Sequence, residues 1–439
     1  MMCATATRRL ISFDSEFSTG RLLTVNTTIR ILLAFSFVLL TESCAPGEDW
    51  PQFRGPGGQG QSASRNLPVN WDSDTNVVWR TALPGNGWSS PVLSQGRIYL
   101  TTAVAGEQPD DRVSLRAVCL GAESGDLIWN VATAMLPADA KMHPKNSHAS
   151  PTPIVTDDRV YVHFAAYGTA ALNLDGDLIW QKQIEYEPQH GTGSSPVLFE
   201  DLLIFNCDGV EAPFVIALDA ASGTERWRTF RPDLARLKFS FSTPLLIEVD
   251  GQPQLVSAGS DLVCGYDPRS GKQIWMVRYP EKWSVVPRPV FAGGLVLVCT
   301  GYVGPSELLA IRPAGEGDIT DTHVVWRTEQ FVPHSPSPVV AGSYVYLMSD
   351  NGIASCRDLA TGDLLWKERV GGTYSASPVL AEDRIYFLSE DGLCTIIKAA
   401  PEFDQIAKND LKERSLASMT PTDGALLIRT IEGLYRIGK

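Results

Sequence analysis

From about residue 76 onward the chain is a succession of short apolar runs, most of them bounded by Gly, Pro, Asp or Asn. Runs of about four to eight residues, closed by turn-forming residues, point to β-strands rather than helices. One unit shows the pattern. Ser337–Ala341 reads as a short strand, Gly342-Ser343 as a turn, and Tyr344–Met348 as a second strand. Ser349-Asp-Asn-Gly352 suits a tight hairpin, since Asn-Gly supplies the positive φ of a type I′ turn. Ile353–Arg357 is then a third strand, Asp358–Gly362 a turn, and Leu364–Val370 a fourth strand. Four short antiparallel strands per unit predict a propeller blade.

The unit repeats. Ala217-Leu-Asp-Ala-Ala-Ser-Gly-Thr-Glu-Arg-Trp227 returns as Gly265–Trp275 and Cys356–Trp366, closely as Val118–Trp129, and one residue short as Ala171–Trp180. Tryptophans 129, 180, 227, 275, 326 and 366 recur 40 to 51 residues apart and are expected to dock each blade on its neighbour. A seventh blade starts at Ser377 and lacks the tryptophan. An eighth, Ser418–Ile437, holds only three strands, and the isolated strand Asn76–Thr81 with Trp79 is its expected fourth. The predicted fold is therefore all-β, an eight-bladed propeller over residues 76–439 closed by an N-terminal strand, with 45–75 an irregular lead-in anchored by Trp50 and Phe53. Closing the ring removes the strand edges that an open array would expose.

A second periodicity is a Ser/Thr-Pro pair opening the inner strands: Ser90-Pro, Ser150-Pro, Ser195-Pro, Thr243-Pro, Ser337-Pro, Ser377-Pro and Thr420-Pro, with Arg288-Pro the exception. Proline cannot donate to a ladder and is confined to edges and strand starts, which accounts for its position. No catalytic weight attaches to the serines on this reading.

The chain has 439 residues, 44% of them hydrophobic, and a formal net charge of −13, which argues against nucleic acid as partner. Ile31–Leu40 is the one strongly apolar run, too short to span a bilayer but suited to the core of an export signal. With Arg30 before it and Thr41-Glu-Ser-Cys44 after it, residues 1–44 are expected to be a leader with Cys44 the lipidated N-terminus. Cleavage near Ser43 without lipidation is the alternative, and a start near Val25 would shorten the leader. The other cysteines except Cys3 (Cys119, Cys207, Cys264, Cys299, Cys356 and Cys394) stand singly on strand patterns, and buried filler is the favoured reading over pairing.

The docking segments, the Ser-Pro inner strands and Trp50–Pro56 together resemble the pyrroloquinoline-quinone (PQQ) type propeller repeats, over roughly residues 50–439. Two activities share that architecture. One is the non-catalytic scaffold lipoprotein of the outer-membrane barrel-assembly machinery; the other is PQQ-dependent dehydrogenation. The dehydrogenases imply a calcium-type ion held by carboxylate and amide oxygens, a catalytic Asp and commonly a vicinal disulfide. No Cys-Cys occurs here, and no acidic cluster matches residue by residue. Asp208 and Glu211, after Asn206, come nearest to such an oxygen set, and turn chemistry explains them equally well.

Connections between blades are expected to converge on one mouth of the channel. They carry Trp88, His143, Lys145, His148 and His190, followed by Lys238, Trp283, Arg288, His334 and Tyr374. The hairpins between second and third strands bring Asp208, Glu211, Asp261, Asp350, Glu390 and Asp391 to the same face. A mouth lined by His, Arg and aromatic residues suits a carboxylate-bearing ligand or a protein partner. Arg288 is the sharpest candidate, with an ion pair to Glu281 as its structural alternative. The functional expectation is an exported, membrane-anchored, monomeric binding scaffold of the periplasm or outer membrane for a protein or peptide. It has no assigned catalytic or metal-binding residue and no cofactor. A PQQ- and Ca²⁺-dependent dehydrogenase is the alternative.

Overall fold

The computed structural model describes residues 48–106, 112–137, 140–302 and 304–438. The leader, Cys44 and the boundary expected there lie outside these residues. Eight four-stranded antiparallel sheets follow one another around a ring, each running from an inner to an outer strand. Blade 6, the unit dissected above, comprises Val339–Ala341, Tyr344–Met348, Ile353–Asp358 and Leu364–Arg369. The second and third strands of the blades are almost wholly buried, and their residues form the apolar clusters that fuse each blade to the next. All six cysteines of the propeller are free and buried, as small filler would be.

The ring closes as the orphan strand predicted. Val77–Ala82 pairs antiparallel with Gly433–Gly438, so blade 8 is built from both ends of the propeller. Every outer strand carries a register shift at the same place; in blade 3 Ala217 faces Trp227 while Leu218 faces Glu225, skipping Arg226. Such a bulge re-aims the next side chain, and here it turns the indole toward the following blade. Trp79, Trp129, Trp180, Trp227, Trp326 and Trp366 each donate Nε1–H to a carbonyl in the turn of the next blade, at 3.0–3.2 Å. That turn is the Ser/Thr-Gly segment itself for Trp79, Trp180, Trp227 and Trp326, the Asp175-Gly176 turn for Trp129 and the Ala400-Pro401 turn for Trp366. Gly271, at φ +70°, leaves no room for a Cβ, which would come within 2.5 Å of the Trp227 ring.

Trp275 departs from this pattern. It is fully buried between blades 4 and 5, but its Nε1–H goes to Gln254 Oε1 of its own blade, at 2.7 Å. Blade 5 lacks the short Gly turn; its third and fourth strands are joined by a longer excursion in which Gly317–Asp318 pairs parallel with the outer strand of blade 4. With no turn carbonyl offered, the indole finds a donor's partner at home.

The lead-in is a plug. Trp50, 1% exposed, exchanges hydrogen bonds with Leu93 of the blade 1 inner strand, and Val155 N–H of blade 2 donates to Pro51 O. Gln59 and Gln61 then reach Phe291 of blade 5 and Val340 of blade 6, and Gln61–Ser62 adds parallel to the inner strand of blade 7. The segment enters past the hairpins that join first and second strands, where Asp49 accepts from Ser94 and Gln95, and so closes the channel from the side opposite the predicted mouth.

Candidate functional site

A cavity of about 510 Å³ occupies the other end of the channel. Its floor is Phe53 of the plug, and its sides carry Trp88, Phe239, Phe241, Trp283 and Tyr302. Around the base runs a ring of hydroxyls two residues ahead of the inner strands: Ser90, Thr152, Ser195, Thr243, Ser337, Ser377 and Ser418.

These hydroxyls form a belt. The Oγ of one blade accepts the backbone N–H of its counterpart in the blade before: Ser90 to Thr152, Thr152 to Ser195, Ser195 to Thr243, Arg288 to Ser337, Ser337 to Ser377, and Ser377 to Ser418, all at 2.9–3.0 Å. The inner strands are thereby stitched edge to edge where no sheet hydrogen bonds are available. The belt corrects two positions in the Ser/Thr-Pro series. The equivalent residues are Thr152, not Ser150, and Ser418, not Thr420. Pro151-Thr152-Pro153 offers two pairs in succession, and in blade 8 the belt serine precedes Met419 rather than Pro.

Of the side chains expected at the mouth, His143, Lys145, His190, Trp88 and Trp283 line the cavity. The His143 and His190 rings meet edge to face at 5.6 Å, and partial burial together with His143 holds the His190 imidazole below its usual pKa. Lys145 reaches across the opening to Glu390 of blade 7, Nζ to Oε1 at 2.9 Å. Burial acts to raise the Glu390 carboxyl, but the hydrogen bonds from Ser375 and Lys145 outweigh it and hold the group below the usual range. Asp350 accepts from the His334 N–H, and the His334 ring stacks on Tyr302 at 4.7 Å, behind the lining.

The remaining candidates lie elsewhere. His148 packs edge-on to Tyr167, and burial lowers its pKa. Tyr374 is fully buried in the core between blades 6 and 7. Lys238 pairs with Asp233. Asp261 accepts from the Lys282 N–H, and Glu211 and Asp391 are exposed. Arg288 is 2% exposed and points beneath the floor, where its guanidinium donates to Phe53 O at 2.6 Å and Pro244 O at 3.0 Å; its partners are carbonyls, not Glu281. The Asn206/Asp208 pair is structural. Arg231 grips Asp208 with two bonds of 2.7 and 3.1 Å and also binds Ser257, whose hydroxyl donates to Asn206.

A quinone held through a calcium-type ion needs carboxylate and amide oxygens turned toward the cavity. Among the described residues no carboxylate lines it. Its one amide, Asn146, is fully engaged, its NH₂ by His190 O and Thr192 O and its oxygen by Ser147 and Ser150. Among the described residues no three His, Cys, Asp or Glu side chains converge as a metal site. The donor set does not fit that group. Nor is any cavity hydroxyl hydrogen-bonded to a histidine, as an activated nucleophile requires.

Several site residues gave no sequence signal. Phe239, Phe241 and Tyr302 are scattered aromatics whose convergence depends on ring closure. The hydroxyl ring did have a signal, its periodicity, which the proline beside it explained away.

Comparison with solved structures agrees with this architecture. BamB from Moraxella catarrhalis superposes with a TM-score of 0.60 at 14% identity, covering 82% of this chain and 96% of that one. The computationally designed Ika8 protein gives 0.55 at 10% identity, over 82% and 98%. The quinohemoprotein alcohol dehydrogenase of Comamonas testosteroni fits less well, 0.43 at 14% identity over 89% and 81%. Among curated protein sequences none matches. The family model described as outer membrane protein assembly factor BamB matches residues 60–207, 213–320 and 315–402, most of the propeller. The chain belongs to that family of PQQ-repeat propellers.

Proposed function

We propose that this protein is an exported, membrane-anchored scaffold that binds a protein or extended peptide on the face of the propeller bearing the cavity mouth, without catalysis and without a bound quinone. Membership in a family named for outer-membrane protein assembly carries this reading. Two features of the site support it. The rim offers aromatic and imidazole surface, and among the described residues the lining holds neither a carboxylate for a metal-bound quinone nor a paired nucleophile and base. Fold alone would not choose between the activities found on such rings. The periplasmic side of the outer membrane is the proposed location, with Cys44 as the lipidated residue and a monomeric ring as the working unit.

Photocrosslinkers tell the faces apart. A crosslinking residue at Met142, on the rim, is expected to give one discrete adduct in cells, and one at Gln95, on the opposite face, none. Equal labelling from both positions, or alcohol-dependent dye reduction by the protein supplied with PQQ and Ca²⁺, would overturn the proposal. The anchor is tested separately. Cys44→Ser is expected to move the protein from the membrane to the soluble fraction, and an unlipidated mature N-terminus in the wild type, seen by mass spectrometry, would remove it.

A further inference from the structure

The cavity floor rests on positive charge that no acid neutralises. Arg54 and Arg288 are each 2% exposed, and neither meets a carboxylate among the described residues. Their hydrogen bonds go to backbone oxygens: Arg54 to Gln59 and Pro338, Arg288 to Phe53 and Pro244. Three of those four carbonyls belong to cavity-lining residues or to their immediate neighbours, Phe53 itself and the prolines after Thr243 and Ser337. The two guanidiniums therefore sit directly under the floor. Gly58, at φ +71°, lets the plug close over them, since a Cβ there would lie 2.2 Å from Arg288 Nη1. Burial lowers both groups to about 9, with Arg288 contributing at Arg54, and at neutral pH both stay protonated. Nε and Nη1 of Arg54 are buried without a hydrogen-bond partner. A buried cation left unneutralised is costly, and a nearby anion relieves that cost.

Above the guanidiniums lies the hydroxyl belt. Each of Thr152, Ser195, Thr243 and Ser418 accepts a backbone N–H from the blade before, and no acceptor among the described residues takes its own hydrogen. With one lone pair engaged by the ring, these hydroxyls are biased to donate into the cavity. Donors converging over buried positive charge make an anion site, and aromatic walls above it favour an apolar body.

We propose that the cavity binds a small organic carboxylate, its anionic group seated on the hydroxyl belt over Arg54 and Arg288 and its apolar part against Trp88, Phe241 and Trp283. This site is separate from the contact proposed for the rim and stands whether or not a protein binds there. The carboxylate class, rather than phosphate, follows from cations that lie behind the floor and reach the ligand only as a field. They suit a single delocalised charge better than the fork-to-oxygen contacts a phosphate draws.

Calorimetry on the mature protein with phenylacetate, phenylacetamide and inorganic phosphate separates the possibilities. Phenylacetate is expected to bind at least tenfold more tightly than its neutral amide, and Thr243→Val to weaken it at least fivefold. Because that substitution also removes a belt hydrogen bond, wild-type crystals soaked in bromide give an independent reading, with anomalous density expected on the hydroxyl ring. Equal affinity for the acid and the amide, an empty ring in bromide, or binding of phosphate without phenylacetate would each overturn the proposal.

Discussion

Ser195 shows how one side chain ties two parts of the molecule together. Its oxygen accepts the N–H of Thr152 from the previous blade, while its own N–H goes on to Thr243. Ser195→Ala leaves the Thr152 N–H buried and unpaired, and a loss of about 1–3 kcal/mol in urea unfolding is expected. Glu390 makes a pH-dependent contribution. Its folded pKa lies below the unfolded value, so the stability it adds is present above the unfolded pKa and disappears as pH falls through the folded one. Thermal melts of wild type and Glu390→Gln should therefore differ at pH 7 and converge toward pH 3. At this scale the sequence was only partly legible. A Ser/Thr before Pro is sufficiently explained by proline chemistry, and the N–H that needs the hydroxyl lies 40 to 62 residues away in another blade.

Outer strands were the most legible elements, because the tryptophan and the glycine turn are written in most copies. Trp227→Ala is expected to cost about 3–5 kcal/mol in equilibrium unfolding, as aromatic truncation in a packed interior does. Gly271→Ala should destabilise as well, from both the positive φ and the indole above it, while Gly317→Ala, with open space around its Cβ, should lose only the strain term. The bulge also explains why six of the most exposed apolar residues sit just before docking positions. Val78, Ile128, Ile179, Val325, Leu365 and Ile406 are the residues skipped in the ladder, turned outward so that the next side chain turns in. Trp275 docks between blades 4 and 5 as its motif predicts, and only its N–H bond departs from the series, because blade 5 lacks the short turn that receives the other indoles.

For the molecule as a whole, the eight-blade count was legible from an orphan strand and an incomplete blade, which only a closed ring reconciles. The plug was not. Trp50 and Phe53 read as anchors, but the glycine-rich stretch between them and Ser62 carries no strand pattern, and its contacts are with inner strands hundreds of residues later. Arg288 stood out by replacing a hydroxyl, yet its partner, Phe53 O, is 235 residues away. Removing it strands buried carbonyls of the plug and of blade 4. Arg288→Ser is accordingly expected to lower stability by about 1–3 kcal/mol for each carbonyl left unpaired, measured by urea unfolding, and to loosen the lead-in, seen as faster protease cleavage between residues 50 and 62.

A blade assembled from both ends has a consequence in time. The strand at 77–82 is among the first of the ring to be synthesised and the last to find its partner, which does not exist until residue 438 has been made. Closing so long a loop adds little to the equilibrium cost, since loop entropy grows only logarithmically with length, but it makes folding slow and non-local. Until then Trp79 has its slot in blade 1 but its strand has no ladder, and the open edge is free to pair wrongly. The ring is thus committed only once the strand at 433–438 is available, however early the other seven blades have formed.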